Sequence, residues 1–151
     1  MTWKYIAGFF DGEGSIISHK SGFRVLIPQT NLDVLERIRA FCNMGFICEV
    51  TKRKSHWKDA WIYSIGQQEH VYRFGKNILP YVIVKREKVE KALPEVKRYI
   101  QRQRARKELR ATRIAKASLF RKQGLSYRKI EVIMGVDRGY LRRILLSKTG
   151  S

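Results

Sequence analysis

One nine-residue segment near the start of the chain constrains the fold more than any other, and it reads Ile6-Ala7-Gly8-Phe9-Phe10-Asp11-Gly12-Glu13-Gly14. Ala7 and Gly8 carry almost no side chain, so another helix backbone can approach closely at this point. Gly12 follows Gly8 by four positions, which puts both glycines on one face of a helix. Gly12 and Gly14 also favour a turn, because glycine adopts backbone conformations that other residues avoid. The segment therefore predicts a tightly packed helix that ends beside an acidic residue.

That acidic residue, Glu13, has the chemistry of a metal ligand. Glu13 is preceded by Gly12 and followed by Gly14, and the backbone carbonyl of Gly12 is adjacent to it in the chain. Hard cations such as Mg2+ favour oxygen ligands of these two kinds. An acid at the carboxyl end of a helix also lies at the unfavourable pole of the helix dipole. This placement suggests a role beyond stability, although Asp11 lies at the same unfavourable end.

The nonapeptide resembles the signature of the LAGLIDADG homing endonucleases. Ile6 stands for the first Leu of that signature, Phe9 and Phe10 for the Leu-Ile pair, and Glu13 for the second Asp. Ser and an aliphatic residue follow, as they often do in the family. The resemblance implies that Glu13 is the catalytic metal ligand, with the Gly12 carbonyl as a second ligand, and that Asp11 is structural.

Two more catalytic residues are implied by position in the family's fold. Gln29 ends the second predicted strand, where family members often carry a Gln that orders metal-bound water. Lys85 lies five residues after Pro80, where a Lys of the family contacts the solvent network near the scissile phosphate. A cation at that place could also stabilise negative charge in the transition state.

Only one copy of the signature occurs in the chain. Family members with a single motif form homodimers, so the resemblance implies a homodimer and a pseudo-palindromic target. The expected dimer interface is the signature helix itself. Its members are Ile6, Ala7, Gly8 and Phe10.

The charge of the chain points independently to a polyanionic partner. The 151 residues carry a formal net charge of +19, while 44% are hydrophobic, which is enough for a folded core. Nucleic acid is the leading candidate for the partner and a membrane surface is the alternative. A transmembrane-length apolar run, a signal peptide, a P-loop and a Gly-x-Ser-x-Gly elbow are all missing from the sequence. We therefore expect double-stranded DNA as partner, no membrane association, and a cytoplasmic location, or an organellar matrix if the gene is organellar.

The order of elements predicts an α+β fold. Strands are expected at residues 15–20 and 23–30 and again at 46–54 and 59–66, with helices before, between and after the two hairpins. This order matches the LAGLIDADG half-domain, αββαββα with an antiparallel saddle-shaped sheet. The endonuclease domain is assigned to residues 1–100. Cys42 and Cys48 are expected to be buried free thiols, because their spacing fits no zinc site.

The two hairpins are expected to lie along the DNA major groove. Which side chains read bases cannot be derived from alternation, because a slip of one residue reverses the two faces of a strand. The candidate DNA-binding residues of the hairpins are His19, Lys20, Arg24, Lys52, Arg53 and Lys54.

The last third of the chain is predicted to be a basic helical connector over residues 101–114 and a helix-turn-helix over 115–147. Pro94, just before the connector, is expected to interrupt the helical run. The second part is similar to the helix-turn-helix of resolvase-like domains, with Ser126 and Asp137 as helix caps. It departs from that pattern at Glu131, where such motifs carry a small residue. The expected buried positions are Leu125, Ile130, Ile133, Val136, Leu141 and Ile144, and the expected DNA-binding residues are Arg138, Tyr140, Arg142 and Arg143.

Together these features predict a site-specific double-strand DNA endonuclease that leaves 3′ overhangs. Mg2+ is the expected cofactor, Mn2+ is expected to replace it, and Ca2+ is expected to support binding without cleavage. Two alternatives remain open at this point. A transcription regulator can join a similar domain to a helix-turn-helix without cleaving DNA, and an RNA-splicing maturase is the second possibility.

Overall fold

The computed structural model describes residues 1–52, 56 and 58–146. The chain forms two compact units, Met1–Gln101 and Arg102–Ser151. The boundary between them falls within one long helix. No described helix combines the length and the apolar character that crossing a bilayer requires.

The first unit has the predicted order of helices and strands. Its elements are α1 (Trp3–Glu13), β1 (Ser15–His19), β2 (Gly22–Gln29), α2 (Leu32–Cys42), β3 (Phe46–Glu49), β4 (Trp61–Ile65), α3 (Gln68–Ile78) and the start of α4 (Arg86–Lys122). The α+β prediction and the αββαββα order are thereby confirmed.

The four strands form one antiparallel sheet in the order β1-β2-β4-β3. Along β2, Val25 and Ile27 are buried, while Arg24, the residue before Val25, is exposed. Alternate residues of a strand point to opposite faces. The face that carries Val25 and Ile27 is therefore the packed one, and the face that carries Arg24 is open.

The core of the first unit lies between the packed face of the sheet and the helices. Helix α1 contributes Ile6 and Phe10, and the ring of Phe10 meets that of Phe74 at a centroid distance of 5.9 Å. Tyr63 is also buried, and its hydroxyl donates to the carbonyl oxygen of Met44 at 2.7 Å. Each fully buried side chain of this size contributes about 1.5–3 kcal/mol relative to an exposed one. Burial of α1 on one side thus fixes its position on the sheet.

Capping residues begin and end the helices. The side chain of Asn31 accepts a hydrogen bond from the N–H of Val34, so Asn31 is the N-cap of α2. Helix α2 ends at Cys42, because Asn43 adopts the left-handed conformation with φ of 49°. Asn is one of the few residues that tolerates this conformation.

The prediction that Pro94 interrupts the helical run is wrong. Helix α4 is continuous from Arg86 to Lys122 with Pro94 inside it. A proline within a helix removes one hydrogen bond and costs about 3 kcal/mol. Val89, Leu93 and Val96 flank it and are buried in the core, so packing of this stretch offsets the loss.

The second unit contains the end of α4, helix α5 (Tyr127–Met134) and helix α6 (Arg138–Leu146). Ser126 caps α5 and Asp137 caps α6, as predicted, since their side chains accept from the N–H groups of Lys129 and Tyr140. The buried core consists of Ala117, Ile130, Leu141 and Ile144.

One predicted core position of this unit is wrong. Ile133 is 52% exposed, whereas Leu125 and Val136 are partly buried against the core. The short helix α5 turns only Ile130 fully inward, and Ile133 lies on its outer side.

The two cysteines differ in their surroundings. Cys42 is buried as expected, and burial raises the pKa of its thiol to about 11. Cys48 is exposed, so the expectation of a buried thiol is wrong there. It pairs with Ile62 across β3 and β4, on the open face of the sheet.

Candidate functional site

Helix α1 ends abruptly at Glu13, and Gly14 makes this possible. The N–H of Gly14 donates to the carbonyl oxygen of Phe10 at 2.9 Å, after which the chain is extended and enters β1. A Cβ atom at position 14 would lie 2.2 Å from the Phe10 ring, so only glycine fits. The turn leaves Glu13 at the helix end with its side chain outside the core.

The carboxylate of Glu13 is available to a ligand. The residue is exposed, and within the described parts of the chain no hydrogen bond or ion pair engages its side chain. It is the last residue of α1, where the helix dipole disfavours a negative charge. A cation bound at this point would therefore be favoured.

Lys85 supplies one cation at the same helix end. Its Nζ atom donates to the carbonyl oxygens of Phe10 at 3.1 Å, Gly12 at 3.3 Å and Gly14 at 2.7 Å. The ammonium also lies 5.7 Å from the centroid of the Phe10 ring. These carbonyls flank Glu13 on both sides in sequence, so the structure brings the Lys85 ammonium to the helix end that carries Glu13, 72 residues earlier in the chain.

Asp11 binds the segment that carries Lys85. Its carboxylate accepts hydrogen bonds from the backbone N–H groups of Ile83 at 2.6 Å, Val84 at 3.3 Å and Lys85 at 2.9 Å. Burial raises the pKa of this carboxyl, but the three N–H groups and the Lys85 charge outweigh that effect, so its pKa lies below the ordinary value. The sequence assigned Asp11 a structural role through resemblance but did not indicate these partners.

Gln29 lies at the same end of the sheet as Glu13. β1 begins at Ser15, which pairs with Leu26, and the antiparallel β2 ends at Gln29. The Oε1 atom of Gln29 accepts from the N–H of Thr30 at 2.7 Å and from its hydroxyl at 3.2 Å. Its role in ordering water therefore stays a prediction.

The oxygen donors at the end of α1 fit a divalent cation but do not complete its coordination. Glu13 offers a carboxylate and Gly12 a carbonyl, which are the ligand types that Mg2+ prefers. Over the described residues, no three His, Cys, Asp or Glu side chains come together as a metal site. One chain therefore offers part of a site, and the remaining ligands have to come from water, substrate or a second copy.

The predicted dimer interface requires a correction. Ile6, Ala7 and Phe10 are 0–1% exposed, since their side chains fill this chain's own core and cannot contact a partner. Gly8 remains exposed. The helix repeat of 3.6 residues separates Gly8 from the buried three and places it with Tyr5 and Gly12 on the opposite face.

This exposed face of α1, formed by Tyr5, Gly8 and Gly12, is open. Within the described structure, and apart from the adjacent residues and the backbone of α1 itself, no atom lies within 4 Å of a Cβ built on Gly8 or on Gly12. Alongside it runs the segment of residues 81–84, whose Tyr81 ring lies 5.9 Å from the Lys4 ammonium. Ile83 and Val84 of that segment are 82% and 79% exposed. The face and the segment together make an apolar surface without a described partner.

The DNA-binding candidates of the first unit occupy two places. His19, Lys20 and Arg24 are exposed, on β1, in the following turn and on β2. Lys52 forms an ion pair with Asp59 at 2.6 Å. Arg53 and Lys54 lie outside the described residues.

Arg24 is the one Lys or Arg within the four strands. Its cross-strand partner on β1 is Ile17, which is 38% exposed. Phe46, which lies on the same face in the edge strand β3, is 52% exposed. Around Arg24 the open face thus presents apolar side chains.

The candidates of the second unit lie on α6. Arg138, Arg142 and Arg143 are exposed, and Tyr140 is half-buried. The Arg143 guanidinium lies 5.9 Å from the centroid of the Tyr140 ring. The second unit also holds 15 of the 32 Lys and Arg residues but three of the 13 Asp and Glu residues, so it carries +12 of the net +19.

Comparison with known proteins identifies relatives of the first unit. The sequence model of the LAGLIDADG-like domain matches residues 3–79. The fold is similar to that of the homing endonuclease I-CvuI in complex with its target, at 18% identity and a TM-score of 0.53, over 67% of this chain and 69% of that chain. It is also similar to the LAGLIDADG meganuclease I-AabMI bound to uncleaved DNA, at 21% identity and a TM-score of 0.56, over 88% of this chain and 48% of that chain. At these identities the likeness shows a shared fold. No curated protein sequence matches the chain.

Proposed function

The chain belongs to the LAGLIDADG-like domain family, and from this premise we propose that it is a site-specific double-strand DNA endonuclease. The observation that carries the proposal is that the Lys85 ammonium binds the carbonyl oxygens of Gly12 and Gly14, the two sequence neighbours of Glu13, at the end of the signature helix. The exposed Glu13 carboxylate provides a metal ligand, and the ammonium bound to the neighbouring carbonyls provides a fixed positive charge. Both functions assist phosphodiester hydrolysis.

In this proposal Mg2+ is the cofactor, Mn2+ replaces it, and Ca2+ supports binding alone. Glu13 and the Gly12 carbonyl hold the metal, which when bound supplies an activated water and stabilises charge on the phosphate. Lys85 holds a positive charge where the phosphate develops negative charge. Gln29, at the same end of the sheet, orders water beside the site. The relatives I-CvuI and I-AabMI were solved with their target or with DNA, which supports DNA as the substrate.

The active protein is proposed to be a homodimer. Its two copies contact each other through the exposed face of α1 and the neighbouring Ile83 and Val84. An Ala at position 8 or 12 would fit the single chain without a clash. It would also favour the helix by about 1 kcal/mol, because Gly is a poor helix former. Two glycines kept on one open face are therefore explained by a second helix backbone that approaches closely there. A second copy also brings a second Glu13 to complete the metal ligands.

The open face of the sheet is proposed to read the target in the major groove. Arg24 can form two hydrogen bonds with a guanine, while Ile17 and Phe46 suit contact with thymine methyl groups. Lys20, at the turn, and Lys52 suit contacts with phosphates, which position the protein without reading sequence.

The second unit is proposed to extend the contact with DNA. Its +12 charge on about a third of the chain is a strong attraction for phosphates. Arg138, Arg142 and Arg143 project from α6, the helix that would enter the groove in a helix-turn-helix. The connector of residues 101–114 and the helix-turn-helix of 115–147 are thus retained as proposed domains.

Selection of bound duplexes from a random library tests the proposal. Binding is carried out in Ca2+, the bound pool is transferred to Mg2+, and the DNA ends are sequenced. The endonuclease produces staggered ends with 3′ overhangs at one long, nearly palindromic site. Enrichment of a sequence without new ends in Mg2+ or Mn2+ would instead support a transcription regulator, and selective binding of RNA would support a maturase.

A further inference from the structure

Asp11 and Lys85 make two reciprocal sets of contacts between α1 and the residues before α4. These residues, 81–85, are called the segment below. Asp11, on α1, accepts from the backbone N–H groups of residues 83–85 at 2.6–3.3 Å. Lys85, on the segment, donates through its side chain to three backbone carbonyls at the end of α1. Each side chain therefore binds the backbone of the other's element.

The N–H groups of Tyr81 and Val82 donate to the carbonyl oxygen of Ile78, and Asp11 is the described acceptor for the three N–H groups that follow. Val82 and Val89 are buried on either side, but Ile83 and Val84 between them are 82% and 79% exposed. Lys85 directly precedes α4, so the N–H groups of residues 83–85 have no partners within that helix. The Asp11 carboxylate supplies those partners and fixes the direction in which the chain enters α4.

The Lys85 ammonium depends on that direction. A lysine side chain has about 2 kcal/mol of rotamer entropy to lose when it is held in one place. The ammonium has three N–H donors, and they bind the carbonyls of Phe10, Gly12 and Gly14. A small displacement of the Lys85 backbone would therefore break these hydrogen bonds. Because Asp11 binds the N–H of Lys85 itself, it acts directly on the backbone from which this side chain extends.

We propose that Asp11 is a positioning residue for Lys85: by binding the backbone of residues 83–85 it fixes where the ammonium meets the carbonyl oxygens beside Glu13. The carbonyl of Gly12 is shared between the ammonium and the proposed metal site, so the same contact sets the charge and the geometry of that oxygen. The catalytic part of this inference rests on the proposed nuclease function. The geometric part stands on the contacts alone.

A simpler role for Asp11 is to cap α4, since an acid near a helix N-terminus is stabilising. The two roles differ in their dependence on Lys85. A cap contributes the same amount whether or not residue 85 is a lysine. A positioning residue loses its effect on the site once the ammonium is absent.

A double-mutant cycle separates the two roles. The variants are Asp11→Asn, Lys85→Met and the double variant, with Glu87→Gln as control, an exposed acid in the first turn of α4 that pairs with Lys91. Single-turnover cleavage is measured in Mg2+ and DNA affinity in Ca2+. Asp11→Asn is expected to slow cleavage about 10- to 100-fold, as loss of an outer partner of a metal site does, with unchanged affinity. The double variant is expected to match Lys85→Met.

A second measurement requires no catalysis. Reductive methylation of the wild-type protein, followed by peptide mass spectrometry, is expected to modify Lys85 slowly, and Asp11→Asn is expected to accelerate it while Glu87→Gln does not. Hydrogen exchange on Lys85→Met is expected to leave the amides of Ile83 and Val84 protected, because Asp11 holds them independently.

Three results would overturn the proposal. These are multiplicative losses of cleavage rate in the double variant, unchanged labelling of Lys85 in Asp11→Asn, or loss of amide protection at residues 83 and 84 in Lys85→Met. Should Asp11→Asn fail to fold, loss of amide protection at residues 83 and 84 in Lys85→Met would still overturn the proposal. If the wild-type protein cuts no DNA, the nuclease proposal fails, while labelling and exchange still test the positioning of Lys85.

Discussion

Glu131 accepts a hydrogen bond from the backbone N–H of Arg138, with a distance of 3.1 Å between Oε1 and the nitrogen. This contact explains the residue that departs from the resolvase-like pattern. Motifs of that pattern carry a small residue at this position. The acid instead joins Asp137 at the start of α6, where two negative charges complement the helix dipole.

Replacing Glu131 should therefore loosen α6. Glu131→Ala removes an acceptor for a helix N-terminal N–H, and loss of such a cap costs about 0.5–2 kcal/mol. Hydrogen exchange of the α6 amides, read by mass spectrometry, should accelerate by a corresponding factor. Glu108→Ala, an exposed acid on α4 in the same unit, serves as the control and should leave α6 exchange unchanged. Equal exchange in the two variants would show that Glu131 does not cap α6.

A bulky residue at position 8 should separate the dimer without unfolding the chain. Gly8→Leu meets open space within one chain but would enter the proposed helix contact, where overpacking costs about 1–3 kcal/mol for each side chain. Sedimentation velocity should show wild-type dimer and variant monomer at the same concentration. Ala40→Leu adds a similar side chain on the exposed side of α2 and should remain dimeric. A dimeric Gly8→Leu protein would contradict the assignment of this face.

Arginines of α6 should set part of the salt dependence of DNA binding. The logarithm of the affinity falls with the logarithm of salt concentration by about 0.9 per phosphate contact. Alanine at Arg138, Arg142 and Arg143 should lower this slope by roughly 2.7 if each contacts a phosphate. The matched variant replaces Lys91, Lys97 and Arg98, which removes the same charge from the first unit. The account of the second unit is wrong if both triple variants change the slope equally.

Asp11 should contribute to the acid stability of the first unit. Its folded pKa lies below the ordinary value of 3.8, so its contribution is full above that pH and disappears as pH falls through the folded pKa. The free energy of unfolding of Asp11→Asn should therefore lie below that of the wild type at neutral pH, and the two should converge below pH 3.8. Urea unfolding at several pH values measures this difference. A difference that persists at the lowest pH would exclude the carboxylate as its source.

Local sequence features were sufficient to predict most of the elements. Helix caps such as Asn31 and Ser126 act through neighbouring N–H groups, so their effect can be read from a few residues. Pro94 was misjudged because the outcome depends on packing of Leu93 and Val96 against distant elements. Tertiary burial of this kind overrides the local preference of a proline.

The candidate site was predictable only in part. Glu13 follows from the signature itself, whereas Lys85 was assigned through family resemblance, because the two lie 72 residues apart. The partners of Asp11 could not be derived, since they are backbone N–H groups that any sequence would offer at residues 83–85. The inward turn of Ile6, Ala7 and Phe10 depended on which side of α1 meets the sheet, and the spacing of the residues did not determine that side.

Substitution of Glu13 by Gln tests the central claim most directly. The change keeps the size of the side chain and removes the charge that would hold the metal. On the duplex selected in Ca2+, Glu13→Gln is expected to bind with wild-type affinity and to leave the DNA uncut in Mg2+, while Glu36→Gln, another exposed acid, cuts normally. Cleavage by Glu13→Gln at the wild-type rate would contradict the assignment of Glu13 as the metal ligand and, with it, the proposed mechanism.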